Sequence, residues 1–292
     1  MCALLRHRFM GVPRRRISPV AILPILALLG LWGCPKHIPP PANLITSPVQ
    51  LRAAIDGRVE SIDSLRLKGV VTDYFDAEGR VKVRQLILVR PNDKIRVQTR
   101  LPGSDEIVNL LACSQGRCAM HNRNSNEYLH GSGSAENVSM LLPIDLSAAD
   151  VVRVMSGGAP WDRFASFDGV ESVSWDTRVG RYLYRSLRDD GSLTMSVRST
   201  DFAVVEISQF DSDQKVVYRY TTDDWQVRRA SGSTPSTSVA LPDYRRFLWP
   251  LRQLDFSMSV GETQVGVPLS DALFELAPPP GSRVVDVDRL NR

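Results

Sequence analysis

The sequence lacks the short motifs by which many enzymes are recognised. It contains no GxSxG, no HExxH, no Walker-type GxxxxGK and no GxGxxG after a strand. Nucleophile-elbow hydrolases, zinc peptidases and nucleotide-binding enzymes therefore have no support. Charged tracts, low-complexity segments and internal repeats are absent as well. These absences favour a protein that is not an enzyme, and leave open only a hydrolase whose site has no familiar motif.

The apolar run near the N-terminus is too short to stay in a membrane as a helix. It extends from Val20 to Trp32, thirteen residues that include Pro24, whereas a spanning helix needs about 20. A basic start precedes it, made of Arg6, Arg8, Arg14, Arg15 and Arg16. This layout predicts an export signal over residues 1–33.

The end of this signal, Leu31-Trp32-Gly33-Cys34, resembles the lipobox, where cleavage occurs before a cysteine that carries lipid. We therefore expect Cys34 to be acylated by palmitate-type chains and to serve as a tether, since two or three chains anchor a protein stably. An ordinary signal peptide with a chance cysteine is the alternative, and the three consecutive arginines also permit a twin-arginine signal.

Removal of the signal changes the charge of the protein. The whole chain has 36 Lys and Arg against 32 Asp and Glu, so loss of five arginines leaves 31 against 32. The basic excess belongs to the signal and gives no support for a nucleic-acid partner.

Residues 34–48 form a proline-rich stretch without apolar periodicity, which predicts an extended lipidated tether. Residues 49–292 are expected to form a single domain. Position 35 is proline, and no aspartate follows Cys34 to signal inner-membrane retention. We expect a location in the bacterial cell envelope, lipid-anchored, at the outer membrane and facing the periplasm.

The mature chain alternates between helical and strand periodicity. Leu51, Ile55, Val59 and Ile62 recur at helical spacing, and period-two runs follow from Ser64. Ser134 and Ser147 each begin a further helical piece. The pattern predicts an α+β protein with a strongly curved antiparallel sheet, an incomplete β-barrel of about ten strands, an N-terminal helix and a helical pair over the concave side.

Two cysteines and two histidines form the densest group of metal-type ligands, Cys113-x4-Cys118-x2-His121-x8-His130. The spacing matches no established zinc motif. In an oxidising compartment, two cysteines that flank a four-residue turn favour a disulfide over a metal site. We expect a disulfide between Cys113 and Cys118 and no metal site.

Apolar residues at alternating strand positions are candidates for the concave face. They either fill a core, or line a cavity that accepts acyl chains. The candidates are Leu67, Val83, Ile87, Val97, Ile107, Leu111, Trp175, Tyr184, Met195, Val205, Phe256 and Met258.

Three segments of the chain resemble a known family. They are Leu101-Pro102-Gly103-Ser104 in a predicted hairpin loop, residues 142–147 (LPIDLS) at the start of a helix, and Gly157-Gly158-Ala159-Pro160 after it. Together with the lipobox, the tether and the order of elements, they resemble LolB, the outer-membrane lipoprotein receptor, and the wider LolA/LolB fold. In this chain the leucine of the loop precedes the proline.

The resemblance implies a protruding loop at Leu101, Pro102 and Gly103, and a helix pair over a hydrophobic cavity. It implies that the protein takes up lipid or lipoprotein acyl chains, in exchange with a periplasmic carrier protein, and assists their transfer to the outer membrane without any cofactor. The alternative is an anchored scaffold or envelope-assembly subunit, which has a filled core and binds another protein.

Overall fold

The computed structural model describes residues 37–76, 79–101, 103–165, 169–231 and 238–290. The chain from Pro39 onward forms one compact unit with its own core. Cys34 and the whole predicted signal lie outside the described residues, and so does Pro102. Lipidation of Cys34, the signal and the tether therefore stay predictions, as does the boundary of the domain.

The N-terminal helix, α1, extends over Pro48–Glu60. It begins where Ser47 accepts a hydrogen bond from the Gln50 amide, and Pro48 fits its first position because the amide there needs no partner. Leu51 and Ile55 lie in the main core, as the helical spacing predicts.

The rest of the unit is dominated by one mostly antiparallel sheet. Fifteen strands lie within the described residues, and the outermost two, β7 and β15, leave the sheet open. Their bounds are β1 Leu65–Asp76, β2 Gly79–Arg90, β3 Lys94–Arg100, β4 Ile107–Ser114, β5 Arg117–Asn122, β6 Glu127–Ser132, β7 Val170–Asp176, β8 Arg181–Arg188, β9 Gly191–Arg198, β10 Val204–Asp211, β11 Val216–Arg229, β12 Ser238–Trp249, β13 Leu254–Ser259, β14 Glu262–Val265 and β15 Arg283–Asp286. This arrangement confirms the predicted fold class.

Strand β1 holds the two halves of the sheet together. One of its edges pairs with β2, and the other pairs with β14 and then with β13. As a result, residues near position 80 and residues near position 256 lie in the same part of the sheet although they are far apart in sequence. The concave face of this region carries Thr72, Tyr74, Val83 and Phe256.

The sheet has more strands than the alternation predicts, and β12 is the main omission. Leu241, Pro242 and Asp243 are buried in succession, which breaks the period of two. Pro242 also lacks the amide that a central strand normally donates. β13 begins only at Leu254, because Pro250–Arg252 form a 3-10 turn before it.

Three further helices follow β6. They are α2 (Ala135–Leu141), α3 (Ala148–Met155) and the single turn α4 (Trp161–Phe164). Ser134 caps α2 and Ser147 caps α3 by accepting backbone hydrogen bonds, as the sequence predicts. Within the described part of the chain, no helix is long and apolar enough to cross a membrane.

The C-terminal segment, residues 266–290, lies against the convex face and one edge of the sheet. Leu269 and Phe274 pack against Leu88 and Leu86, which point away from the concave side. β15 then pairs in parallel with β6. The segment thereby buries apolar convex-face residues and covers the outer edge of β6.

Candidate functional site

A small apolar cavity lies between the concave face of the sheet and the helical segment 142–155. Its volume is about 40 Å³, and we call it the slot. The sheet contributes Thr72, Tyr74, Val83, Gln85, Ile87, Ile95, Val97, Phe256 and Met258. The helical segment contributes Leu142, Pro143, Ile144, Val151 and Met155.

Two polar side chains of the slot, those of Thr72 and Gln85, are hydrogen-bonded. Thr72 Oγ1 donates to Gln85 Oε1 at 2.7 Å, and Gln85 Nε2 donates to Thr99 Oγ1 at 3.1 Å. Among the described residues that line the slot, none is an acid, a base or a histidine. The slot therefore favours an uncharged, apolar occupant and offers no group for acid–base chemistry.

The roof of the slot is the turn between α2 and α3. We call α2, this turn and α3 together the lid. Pro143 cannot donate a backbone hydrogen bond and disfavours helix before it, so the chain leaves α2 in extended form at Leu142. Leu142, Pro143 and Ile144 consequently point their side chains into the slot.

The lid is fixed at α3 by a buried carboxylate. Asp150 is fully buried and accepts hydrogen bonds from the backbone amides of Asp162 at 3.1 Å and Arg163 at 2.8 Å, at the start of α4. Burial raises the pKa of Asp150 to about 6, although these amides and Arg153 favour the charged form. Asp150 thus joins α3 to α4.

The turn of the lid has a further ionic connection. Asp145 receives a hydrogen bond from Arg163 Nη1 at 2.9 Å and lies 3.3 Å from Arg252 Nη2 in the β12–β13 turn. Arg163 also lies 4.5 Å from the centre of the Tyr218 ring. The lid is therefore connected to the sheet by polar contacts beside the slot, whereas its contacts inside the slot are apolar.

The other half of the concave side is filled by aromatic side chains. Tyr182, Tyr184, Tyr218, Tyr220, Phe247 and Trp249 are all buried in the main core. The Tyr220 and Phe247 ring centres are 4.8 Å apart, and those of Tyr218 and Trp249 are 5.0 Å apart. The concave face is thus a packed core under β8–β12 and a slot under β1–β3 and β13.

Two exposed apolar side chains lie at the end of the sheet next to the slot. Val81 pairs with Tyr74, which lines the slot, and is 38% exposed. Leu101 follows β3 and is 47% exposed. Alternation along each strand places Val81 on the face of Val83, and Leu101 on the face of Val97. We call Val81 and Leu101 the rim residues.

The turn that carries Leu101 is tight. Ser104 donates its amide to the Leu101 carbonyl at 3.1 Å, and Gly103 has a φ of +81°. A left-handed φ of this kind favours glycine. Leu101 and Gly103 are both exposed at this turn, and Pro102 lies outside the described residues.

The predicted lining residues fall into three groups. Val83, Ile87, Val97, Phe256 and Met258 line the slot. Leu67, Leu111, Tyr184 and Met195 belong to the main core away from the slot, with Trp175 partly buried against it. Ile107 and Val205 lie outside both groups, each next to a register shift that breaks the alternation.

Sequence reasoning missed the contribution of the lid to the slot. Val151 and Met155 are four residues apart on α3, so they share one face of the helix. Ile95 is two residues before Val97 and shares its face. The spacing of these residues in the sequence indicates that they share a face. No local pattern indicates that Leu142 and Ile144 point inward.

Cys113 and Cys118 form a disulfide across the β4–β5 hairpin, with a Cα–Cα distance of 4.1 Å. His121 Nε2 lies 3.3 Å from Asn126 Oδ1, and the His130 ring centre is 5.8 Å from that of Tyr128. No group of three or more metal-type ligands occurs among the described residues.

Comparison with known proteins gives a likeness of fold. No protein-family model matches the sequence, and no curated protein matches it. A DUF1329 family protein from Desulfovibrio piger is 12% identical with a TM-score of 0.53, over 77% of this chain and 95% of that one. A Vibrio parahaemolyticus domain named for outer membrane lipoprotein sorting is 7% identical with a TM-score of 0.50, over 78% and 95%.

A LolA superfamily protein from Nitrosomonas europaea is 10% identical over 80% of this chain and 99% of that one, with a lower TM-score of 0.48. At these identities the first two likenesses concern the fold alone. The fold of this chain is thus similar to theirs, whereas membership of the LolA/LolB superfamily and of its LolB branch stays a prediction from the sequence.

Proposed function

We propose that this protein binds lipid, or the acyl chains of lipoproteins, in the slot and assists their transfer to the outer membrane. In this proposal Cys34 anchors the chain on the periplasmic side, and a periplasmic carrier protein delivers the cargo. The observation that carries the proposal is an uncharged apolar slot between an open sheet and a separate lid. The likeness of fold to a lipoprotein-sorting domain supports it.

The size of the slot requires the lid to move. A volume of about 40 Å³ holds only a few water molecules, so an acyl chain enters when Leu142, Pro143 and Ile144 withdraw. Ten buried methylene groups contribute roughly 8 kcal/mol, whereas exposure of one buried Ile or Leu side chain costs roughly 2–3 kcal/mol. The free energy gained by burying the cargo is therefore large enough to offset the free energy of displacing the roof.

The rim residues suit the exchange of cargo with a membrane. Val81 and Leu101 are exposed apolar side chains on the same face as the slot lining. Their contact with the hydrocarbon boundary would place the open end of the slot against the bilayer, so that an acyl chain need not cross water.

An anchored scaffold that binds another protein is the second candidate function. The aromatic core under β8–β12 and the small volume of the slot favour it. The two functions differ in one measurable property, because a scaffold with a filled core takes up no lipid.

Lipid uptake by the chain from Pro39 onward tests the proposal, because this part forms a compact unit with its own core. We expect native mass spectrometry to show bound lipid after purification, and a fluorescent fatty acid to bind saturably. Protein that is reproducibly free of lipid and takes up no fatty acid would contradict the proposal and favour the scaffold.

Two variants and one control variant connect uptake to the slot. Val97→Trp places a large ring in the slot and should reduce fatty-acid binding at least tenfold, while Gln98→Trp, one residue along on the other face of β3, should leave it unchanged. Ile144→Ala shortens the roof and should increase uptake. Equal binding by all three folded variants and the parent would place the ligand elsewhere.

A further inference from the structure

The convex face carries a polar groove on the side of the sheet opposite to the slot. Its volume is about 380 Å³, which lies within the range of small-molecule sites. It crosses four neighbouring strands, β2, β1, β13 and β12. Its lining residues are Asp73, Phe75, Arg80, Tyr244, Arg246, Asp255 and Ser257, and we call it the convex groove.

Two bidentate ion pairs form the polar part of the convex groove. Arg80 donates from Nε at 2.8 Å and from Nη2 at 2.5 Å to the two oxygens of Asp73. Arg246 makes the same two contacts with Asp255, also at 2.8 and 2.5 Å. Each pair holds its planar groups in a fixed orientation on a rigid sheet.

These pairs keep unused hydrogen-bonding capacity. A guanidinium has five N–H donors and a bidentate pair engages two of them, while each carboxylate oxygen retains a lone pair. The groove therefore presents donors and acceptors side by side. Hydroxyl groups, which donate and accept at once, match such a surface better than a pure acceptor such as phosphate.

The charge of the convex groove favours a neutral ligand. Its lining contains two arginines and two aspartates, whose charges cancel. Lys82, opposite Asp73 on the neighbouring strand, lies outside the lining and adds a single positive charge beside it. A site for a nucleic acid or an anionic headgroup would instead need a clear excess of positive charge.

Two aromatic rings complete the convex groove. The Phe75 side chain is 55% exposed on the convex face. Tyr244, half-buried, lies on the same face two strands away. Exposed rings beside fixed polar groups can stack against the C–H face of a sugar ring while its hydroxyls bind the ion pairs.

We propose that the convex groove binds a neutral oligosaccharide, a second ligand independent of the slot. Phe75 and Tyr244 stack on sugar rings, and the Arg80–Asp73 and Arg246–Asp255 pairs bind their hydroxyls. For a protein tethered in the cell envelope, such a site would fix the domain to a glycan while the slot exchanges its cargo.

Isothermal titration of the chain from Pro39 onward with chitotetraose and maltotetraose tests this inference. We expect saturable binding of at least one of them at millimolar concentration or below. Phe75→Ala should weaken that binding at least tenfold, and Arg246→Lys, which keeps the charge but loses the bidentate geometry, should weaken it several-fold. Leu251→Ala, another exposed apolar residue, serves as the control and should bind as the parent does.

The melting temperature of each variant shows whether the fold is intact. The proposal is overturned if neither sugar binds saturably. It is also overturned if folded Phe75→Ala binds sugar as tightly as the parent does. Binding of a sulfated oligosaccharide alone overturns it too, since it would show a site for anions. Fatty-acid uptake is measured separately, so failure of the convex groove does not affect the proposal for the slot.

Discussion

Asn137 in α2 donates a 2.6 Å hydrogen bond from Nδ2 to Oδ1 of Asp288 near the C-terminus. The Asp288 carboxylate also accepts hydrogen bonds from the Ser132 amide and hydroxyl. These contacts lower the pKa of Asp288, and the hydrogen bond from the Ser132 amide has the largest effect. The C-terminal segment thus holds the first helix of the lid against β6.

Loss of this contact should loosen α2. We expect Asp288→Ala to increase the rate of amide hydrogen exchange in residues 135–141, because the helix has only seven residues and depends on its tertiary contacts. Asp213→Ala removes an exposed hairpin carboxylate that contacts Lys215 and should leave that exchange unchanged. Protection in α2 that is equal in both variants would show that Asp288 does not fix the lid.

The disulfide should stabilise the β4–β5 hairpin measurably. The Cys113 and Cys118 bond closes a loop with a sequence separation of five, and loop closure of this length contributes about 2 kcal/mol. We expect the Cys113→Ala/Cys118→Ala double variant to lose that amount of unfolding free energy in urea. Dithiothreitol should destabilise the parent by a similar amount and have no effect on the double variant, and a parent that is insensitive to reduction would contradict this.

The buried Asp150 predicts a specific pH dependence. Its pKa is raised from 3.8 to about 6 in the folded state, so between these values the folded protein binds more protons than the unfolded one, and its stability falls as pH rises. Between pH 4 and pH 7, ionisation of Asp150 should lower the free energy of unfolding by on the order of 2–3 kcal/mol.

Comparison with Asp150→Asn isolates that contribution, because other titrating groups affect both proteins alike. The stability of the variant relative to the parent should improve as pH rises from 4 to 7, measured by urea unfolding at each pH. A relative stability that does not change with pH would mean that Asp150 ionises at its ordinary pKa.

The rim residues predict membrane contact. Replacement of Val81 and Leu101 by serine should reduce cosedimentation with lipid vesicles several-fold, since two exposed apolar groups are lost. Leu251→Ser, at an exposed position in the β12–β13 turn, provides the matched control. If the double variant sediments with vesicles like the control, the rim residues do not contact the bilayer.

Lipidation predicts a simple labelling result for the full chain. Radiolabelled palmitate should be incorporated into the parent and be absent from Cys34→Ser, because the thiol is the acceptor of the lipid-bearing group. Label that persists in Cys34→Ser would refute the assignment of Cys34 as the lipidation site.

Much of the fold follows from local sequence patterns. Ser134 and Ser147 cap their helices, and the cysteines are placed to meet across a tight turn. These features depend on neighbours within a few residues, so a single sequence reveals them. β12 escaped prediction because Leu241, Pro242 and Asp243 are buried in succession, which interrupts the alternation on which strand prediction depends.

The sequence by itself predicts the export signal and the lipid anchor, and it determined the helix caps at Ser134 and Ser147 and the alternating apolar faces. Only the tertiary structure decided which of those faces became packed core and which became the slot. Val83 and Phe256 meet there because β1 pairs with β2 on one edge and with β13 on the other. That long-range pairing, and the position of the lid above it, depend on burial across the whole chain, which no local pattern records.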